Sequence, residues 1–290
     1  MPTLHIILGP TAVGKTDYAI AEALRVGSPV VSCDSRQFYR EMRIGTARPS
    51  EAQLAAVPHY FIADRSIAEP CSAGGYELEA MQLLERLFRE HDTVVMAGGS
   101  GLYIDAVCNG LDDFPEADTE LREQLSRRLR TEGVASLRAE LRILDPASYA
   151  SIDPANGQRI VRALEVTLAT GKPFSSFKTR PAKERPFTIV KTGLTRPRPE
   201  LYARIDARVD QMMAEGLLEE ARSLLPYRTL PALNTVGYKE LFDYLDGACD
   251  LAEAVRLVKR NTRHYAKKQL TYWGRDKSIR WISCPPPTGT

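Results

Sequence analysis

The sequence is poor in cysteine and histidine, with five of the first and four of the second in 290 residues. Cys33, Cys71, Cys108, Cys249 and Cys284 make no CxxC pair and no spacing to histidine that reads as a zinc site, so a metal knuckle and a disulfide scaffold are both set aside. Reduced thiols in a cytosol are the expectation. No stretch of about 18 apolar residues occurs, and no basic segment followed by an apolar run opens the chain, which argues against membrane spanning and export. The formal net charge of +2 does not announce a polyanionic partner, so a local surplus has to be sought instead. Repeats and low-complexity segments are lacking, and "CPPPTGT" reads as a mobile tail.

What is there is strand and helix in alternation. "LHIILG" reads as a buried strand and "TDYAIAEAL" as the helix after it. "SPVVSCDS" is a second strand ending at Asp34. "YELEAMQLLERLFREH" is an amphipathic helix, and "DTVVMAGGSGLY" is a strand running into a glycine-rich turn. The alternation predicts an α/β fold, a P-loop NTPase-like parallel sheet core flanked by helices. From about Leu111 strands disappear, and "ADTELREQLSRRLRTEG", "VASLRAELRIL" and "NGQRIVRALEVTLATG" are helical by period and charge pairing. "PFTIVKTGLT" then restores a strand and "RPELYARIDARVDQMMAEGLLEEARSLL" predicts one long helix. The expected organisation is a core of residues 1–112 and 181–290, interrupted by an all-helical insertion over 113–180 with "GKPFSSFKTRPAKERP" as the return linker.

Between the first strand and helix stands "GPTAVGKT", in which Gly9, Gly14, Lys15 and Thr16 fit G-x-x-x-x-G-K-[ST] and Pro10, Thr11, Ala12 and Val13 fill the loop. Backbone N–H groups at a helix N-terminus aim positive charge at phosphate oxygens, Lys15 adds a full charge, and the Thr16 hydroxyl suits a magnesium ion. Taken alone, this loop reads as an ATP site. Asp34, at the carboxyl edge of a parallel sheet, suits a metal ligand, a general base or a cap, and Ser35, Arg36 and Gln37 beside it suit reading a base edge. The later core strand delivers Gly98, Gly99, Ser100 and Gly101 where an NTPase usually has an acid, which weakens hydrolysis and favours transfer.

"GPTAVGKT", "DSRQFYREMRIGTARP", "GGSGLY", "NGQRIVRALEV", "LYARIDARVDQMMAEGLLEEARSL", "NTVGYKEL" and "TRHYAKKQLTYW" together resemble, in order from residue 9 to about 276, the tRNA dimethylallyltransferase (tRNA isopentenyltransferase) family. The resemblance implies transfer of a dimethylallyl group from dimethylallyl diphosphate to the exocyclic amine of adenosine 37, 3′ to a tRNA anticodon. The loop would then hold a diphosphate leaving group, with Mg2+ at Thr16. By matching position Asp34 accepts the amine proton, Thr16 and Arg208 act on the diphosphate, and Asp34, Ser35, Arg36, Gln37, Ser100, Arg122, Gln158, Arg159, Ile160, Val161, Arg162, Lys267, Lys268 and Gln269 contact tRNA. Without that match, Arg208 and its neighbour Arg204 read as solvated helix charges. Period alone turns Ile160, Val161 and Leu164 inward and the arginines outward.

Charge is concentrated near the end, where Arg256, Lys259, Arg260, Arg263, Lys267, Lys268, Arg275, Lys277 and Arg280 stand against Asp276. Arg256, Arg260, Arg263 and Lys267 share one helix face, and with Tyr265, Tyr272 and Trp273 interleaved they suit RNA backbone contacts plus stacking. A plain solvated face is the other reading. The insertion, helped by "SRRLR" at 126–130, would grip the anticodon stem-loop. The family more often has arginine at Lys268, tryptophan at Tyr272 and arginine at Gly274, and the glycine at 274 has no side chain to make that phosphate contact. A monomer in the cytoplasm is expected. The competing readings are an adenylate isopentenyltransferase acting on free AMP or ATP, a P-loop kinase, and a nucleotide-gated RNA-binding module.

Overall fold

The computed structural model describes residues 1–69, 71–112, 114, 118–178 and 183–284. The expected boundaries at Asp113, Arg180 and Pro181, residues 179–182 of the return linker and the tail from 285 onward lie outside the described residues. The chain divides into two compact units, Met1–Asn109 with Glu184–Thr290, and Gly110–Lys183.

In the first unit the chain runs through β1 (Thr3–Leu8), α1 (Lys15–Val26), β2 (Val30–Ser32), α2 (Glu51–Ala56), β3 (His59–Tyr60), α3 (Ala73–Leu87), β4 (Thr93–Gly98) and α4 (Gly101–Asn109). The second unit is all helical, with α5 (Thr119–Thr131), α6 (Val134–Leu144), α7 (Pro146–Ser151) and α8 (Gly157–Thr170). The chain then returns through β5 (Thr188–Thr195), α9 (Arg198–Ala214), α10 (Leu217–Leu224), α11 (Tyr238–Leu245), α12 (Leu251–Trp273) and β6 (Ile279–Ser283).

The strands form one sheet in the order β3-β2-β4-β1-β5-β6, with every pairing parallel. β1 lies between β4 and β5, and Leu4, Ile6, Ile7 and Leu8 are fully buried. That is why its sequence is a near-continuous apolar run: a central parallel strand covered on both faces has no solvent side to alternate toward. Leu8 pairs with Gly98 and Ser32 with Ala97, so the residues following β1, β2 and β4 emerge together at the carboxyl edge, where open parallel sheets take ligands.

Two expectations change, and two strands are added. β2 stops at Ser32, and Asp34 sits two residues beyond it in a turn, although Cys33 still donates its N–H to Ala97 O at 2.8 Å. The single long helix is two, because Gly216 takes a left-handed φ of 99° that a helix cannot continue through. β3 and β6 were not legible, β3 for its length of two residues and β6 because its exposed positions carry Arg280 and Trp281 in a basic stretch.

The second unit packs Leu125, Leu137, Leu141, Ile160, Val161 and Leu164 into its own core, and side chains of Asp118 and Asn156 cap α5 and α8. Ile160 and Val161 are each 1% exposed, so their side chains are core and not the RNA contacts the family block suggested. Among the described residues no helix is long and apolar enough to cross a membrane.

Candidate active site

The phosphate loop, the turn after β2 and helix α9 line one open pocket of about 1220 Å³. Gly14 stands at the N-terminus of α1 in a left-handed conformation, and no side chain among the described residues caps that end, unlike α3 at Ser72 or α12 at Asp250. Its first-turn N–H groups are therefore left for an anion.

Lys15 Nζ donates to Gly9 O and Pro10 O, both at 2.8 Å, folding back over its own loop. Burial holds its ammonium down to about 8, against the pull of Asp34, with Arg208 adding to the depression. An ammonium so placed gains most from a polyanion that returns the lost solvation.

Arginines brace the loop from α9 and its approach. Arg204 Nε donates to Ala12 O at 2.9 Å, and Arg208 Nη1 lies 3.4 Å from Thr11 Oγ1. Burial lowers the Arg208 pKa, as does Arg204, while Asp34 opposes the shift. Thus Arg204 is not a solvated charge; it is tied to the loop one helical turn from Arg208. Arg196, which sequence reasoning missed, donates from Nε to Val13 O at 2.9 Å and pairs with Glu200. It follows β5, beside β1, and the strand-edge rule that drew attention to Asp34 applies equally to it.

Asp34 Oδ1 accepts the N–H of Arg36 at 3.0 Å, which closes a turn; no helix begins there, so Asp34 is not a helix cap. Asp34, Ser35, Arg36 and Gln37 all line the pocket with Lys15, Thr16 and Arg208. Ser100 Oγ accepts the Ser35 N–H at 3.0 Å and donates to Ser35 Oγ at 3.1 Å, joining the glycine-rich turn to this set. Gln37 Nε2 donates to Thr46 O at 3.2 Å and Ala47 O at 3.1 Å, which ties the 43–48 loop to the pocket wall.

The basic stripe on α12 proves uneven. Arg256 pairs with Glu253, Lys259 with Asp210 and Arg263 with Asp206, so much of that charge is answered inside the protein. Lys267 and Lys268 are exposed, and Lys268 with Tyr265 lines the pocket. Tyr272 is also exposed, its hydroxyl donating to Asp105. Trp273, expected to stack on a base, is 3% exposed and belongs to the main core, which withdraws it from that role. Gln269 is likewise buried, and its amide is spent on Thr11 and Gly99, so it is not an RNA-facing side chain.

In the second unit Glu165, 1% exposed, lies 2.6 Å from Arg162 and 3.3 Å from Arg122, bringing those two arginines together. Gln158 and Arg159 are exposed at the start of α8.

A sequence profile described as IPP transferase matches residues 37–276. The chain is 53% identical over 288 residues to tRNA dimethylallyltransferase 2 of Porphyromonas gingivalis, covering 99% of this chain and 96% of that one. It is 51% identical to tRNA dimethylallyltransferase 1 of Bacteroides thetaiotaomicron, covering 97% and 92%. Among solved structures, the full-length tRNA isopentenylpyrophosphate transferase of Bacillus halodurans superposes with a TM-score of 0.71 at 38% identity, covering 98% of this chain and 90% of that one. A eukaryotic dimethylallyltransferase acting on tRNA shares the fold, with a TM-score of 0.80 at 23% identity and coverage of 98% and 74%. A profile spanning most of the chain and relatives identical at half their positions agree with the loop and acid found at the sheet edge, and the chain belongs to the IPP transferase family.

Proposed function

We propose that this protein transfers the dimethylallyl group of dimethylallyl diphosphate to N6 of adenosine 37, 3′ to the anticodon of tRNAs, giving isopentenyladenosine and diphosphate. The observation that carries the reading is the convergence in one pocket of an uncapped phosphate loop, Arg208 and the carboxylate of Asp34. The names of the relatives support it.

The loop N–H groups, Lys15 and Arg208 grip the diphosphate and stabilise the charge that grows on it as the allylic C–O bond breaks and the electron pair leaves with oxygen. The N6 lone pair forms the new C–N bond. Its delocalisation into the ring makes N6 a weak nucleophile, so the departing proton passes to Asp34, whose orientation is fixed by the Arg36 N–H on Oδ1. An adenine stacked in the anticodon loop has to turn out to reach this carboxylate.

Among the described residues no three His, Cys, Asp or Glu side chains gather to cage a metal. The Thr16 hydroxyl on the pocket wall, with Asp34 nearby, fits Mg2+, which keeps its waters and takes few protein ligands beside phosphate oxygens. There it would neutralise part of the diphosphate charge.

Ser35, Arg36 and Gln37 contact the target nucleotide in this reading, and Lys267 and Lys268 the RNA backbone. The helical unit grips the anticodon stem-loop through Arg122, Gln158, Arg159 and Arg162. Free AMP needs none of these outlying groups, which disfavours the adenylate isopentenyltransferase. A monomer working in the cytoplasm, away from any membrane, completes the proposal.

The test incubates the protein with labelled dimethylallyl diphosphate and Mg2+, offering unmodified tRNA, AMP and ATP separately. Label in tRNA alone is expected. Label in AMP alone overturns the tRNA reading, and ATP turnover without prenyl transfer overturns the chemistry.

A further inference from the structure

Gln269 lies in the run Lys267-Lys268-Gln269, yet its side chain faces inward and is 6% exposed. Its Oε1 accepts the N–H of Thr11 at 2.9 Å, and its Nε2 donates to Gly99 O at 2.8 Å. Thr11 belongs to the phosphate loop and meets Arg208 through its hydroxyl. Gly99 precedes Ser100, which holds the N–H of Ser35 beside Asp34. One amide therefore bridges the segment that grips the leaving group and the segment that holds the proton acceptor.

The packing leaves no slack in this bridge. A Cβ at position 99 would stand 2.5 Å from Gln269 Nε2 and 3.9 Å from Asp34 Oδ2. One turn along α12, a Cβ at position 101 would stand 2.4 Å from the Tyr272 ring. The glycine-rich turn is thus pressed against α12 at two successive points, the same helix that presents Lys267 and Lys268 outward.

We propose that Gln269 is a positioning residue, locking the phosphate loop and the acceptor turn in mutual register from the helix that meets tRNA. This rests on the prenyl-transfer reading, in which diphosphate and Asp34 act on the same substrate pair. Its two hydrogen bonds are made at once only when both segments stand where the reaction needs them, and loss of such alignment is felt in turnover more than in RNA affinity.

Two substitutions strike the bridge from opposite sides. Gln269→Met keeps the length of the side chain without donor or acceptor, and Gly99→Ala pushes Nε2 away without changing any residue of the helix. For each, kcat, KM for dimethylallyl diphosphate, the affinity for inorganic diphosphate by calorimetry and tRNA affinity across a salt series are measured. In both variants kcat is expected to fall on the order of ten- to a hundredfold, with weaker binding of inorganic diphosphate and unchanged tRNA affinity and salt slope. The double variant loses no more than the worse single one, because the two changes remove the same link.

Weakened tRNA binding with unchanged kcat would make Gln269 an RNA contact, and multiplicative losses in the double variant would remove the shared link. Either result overturns the proposal while leaving the prenyl-transfer reading intact. If wild-type protein prenylates nothing, that reading fails, and the bridge is then decided by inorganic diphosphate: unchanged affinity in Gly99→Ala sinks it. Should Gln269→Met not fold, Gly99→Ala decides alone.

Discussion

The phenol of Tyr238 donates to Glu220 Oε1 at 2.7 Å, and the same carboxylate accepts the backbone N–H groups of Arg43, Ile44 and Gly45 at 3.0, 2.8 and 2.9 Å. Glu220 comes from α10, which the left-handed Gly216 separates from α9. Burial first, and then the carboxylate, hold the Tyr238 phenol well above its ordinary pKa, so it stays a donor. A loop tied by a charged acceptor to three successive amides depends on that one group. Glu220→Ala is expected to cost about 2–4 kcal/mol, from several hydrogen bonds to a charged group removed together, seen as a lower midpoint in urea with an unchanged slope. Because Gln37 rests on Thr46 and Ala47 of the same segment, tRNA KM should rise too.

Lys15 gives the diphosphate site a pH dependence with a definite sign. Its ammonium, held down to about 8 by burial, binds a polyanion only when protonated, and the bound anion draws its pKa up. The Lys15 contribution to affinity is then flat below about pH 7 and weakens as pH rises through 8, by about tenfold between pH 7 and 9. Stability of the ligand-free protein moves the other way: the folded pKa lies below the unfolded one, so folding gains as pH rises from about 8 toward the ordinary lysine range. Calorimetry with inorganic diphosphate against pH checks the first trend, and Lys15→Met should abolish the pH slope along with most of the affinity.

The sheet core was legible because β1 and β4 are apolar runs closed by glycine-rich turns, signals that survive without tertiary knowledge. The phosphate loop was legible for the same reason: its chemistry lies within eight consecutive residues. What was not legible depended on partners distant in sequence. Nothing in "KKQLTYW" says that Gln269 and Trp273 face the core while Lys268 and Tyr272 do not, since the helix's burial stripe is fixed by what packs on it. Arg263 and Lys259 read as free charge until α9 supplies Asp206 and Asp210. Gly216 lies inside an otherwise good helical pattern, and a glycine there is the one local sign that the helix breaks before α10.

Asp34 is expected to matter for chemistry far more than for binding. Asp34→Asn keeps an acceptor for the Arg36 N–H and so preserves the turn, while removing the proton acceptor. Single-turnover transfer to tRNA should fall by about 10²–10⁴, the usual worth of a positioned general base, with tRNA affinity within about twofold of wild type, as for a residue that binds the base only weakly. A collapse of tRNA binding at preserved single-turnover rate would instead make Asp34 an anchor for the base.

The uneven α12 stripe separates cations that are free to meet phosphate from those already answered. Lys267 is exposed, and Arg260 is exposed with its Nε donating to neutral Asn261, whereas Arg256 and Arg263 face carboxylates of Glu253 and Asp206. An ion-paired arginine releases little counterion on RNA binding, because its own acid already supplies the compensating charge. Reversing Arg260 and Lys267 to Glu should therefore weaken tRNA binding and flatten its dependence on log salt, by roughly 0.7–0.9 for each phosphate no longer neutralised. Arg256→Gln should leave that slope unchanged and, because solvent screens this exposed pair, leave the urea midpoint close to that of the wild type. Equal effects from the two sets would mean that the intramolecular pairs open when RNA docks. An unchanged slope in the double reversal would return the whole stripe to a solvated face and leave RNA recognition to the pocket and the helical unit.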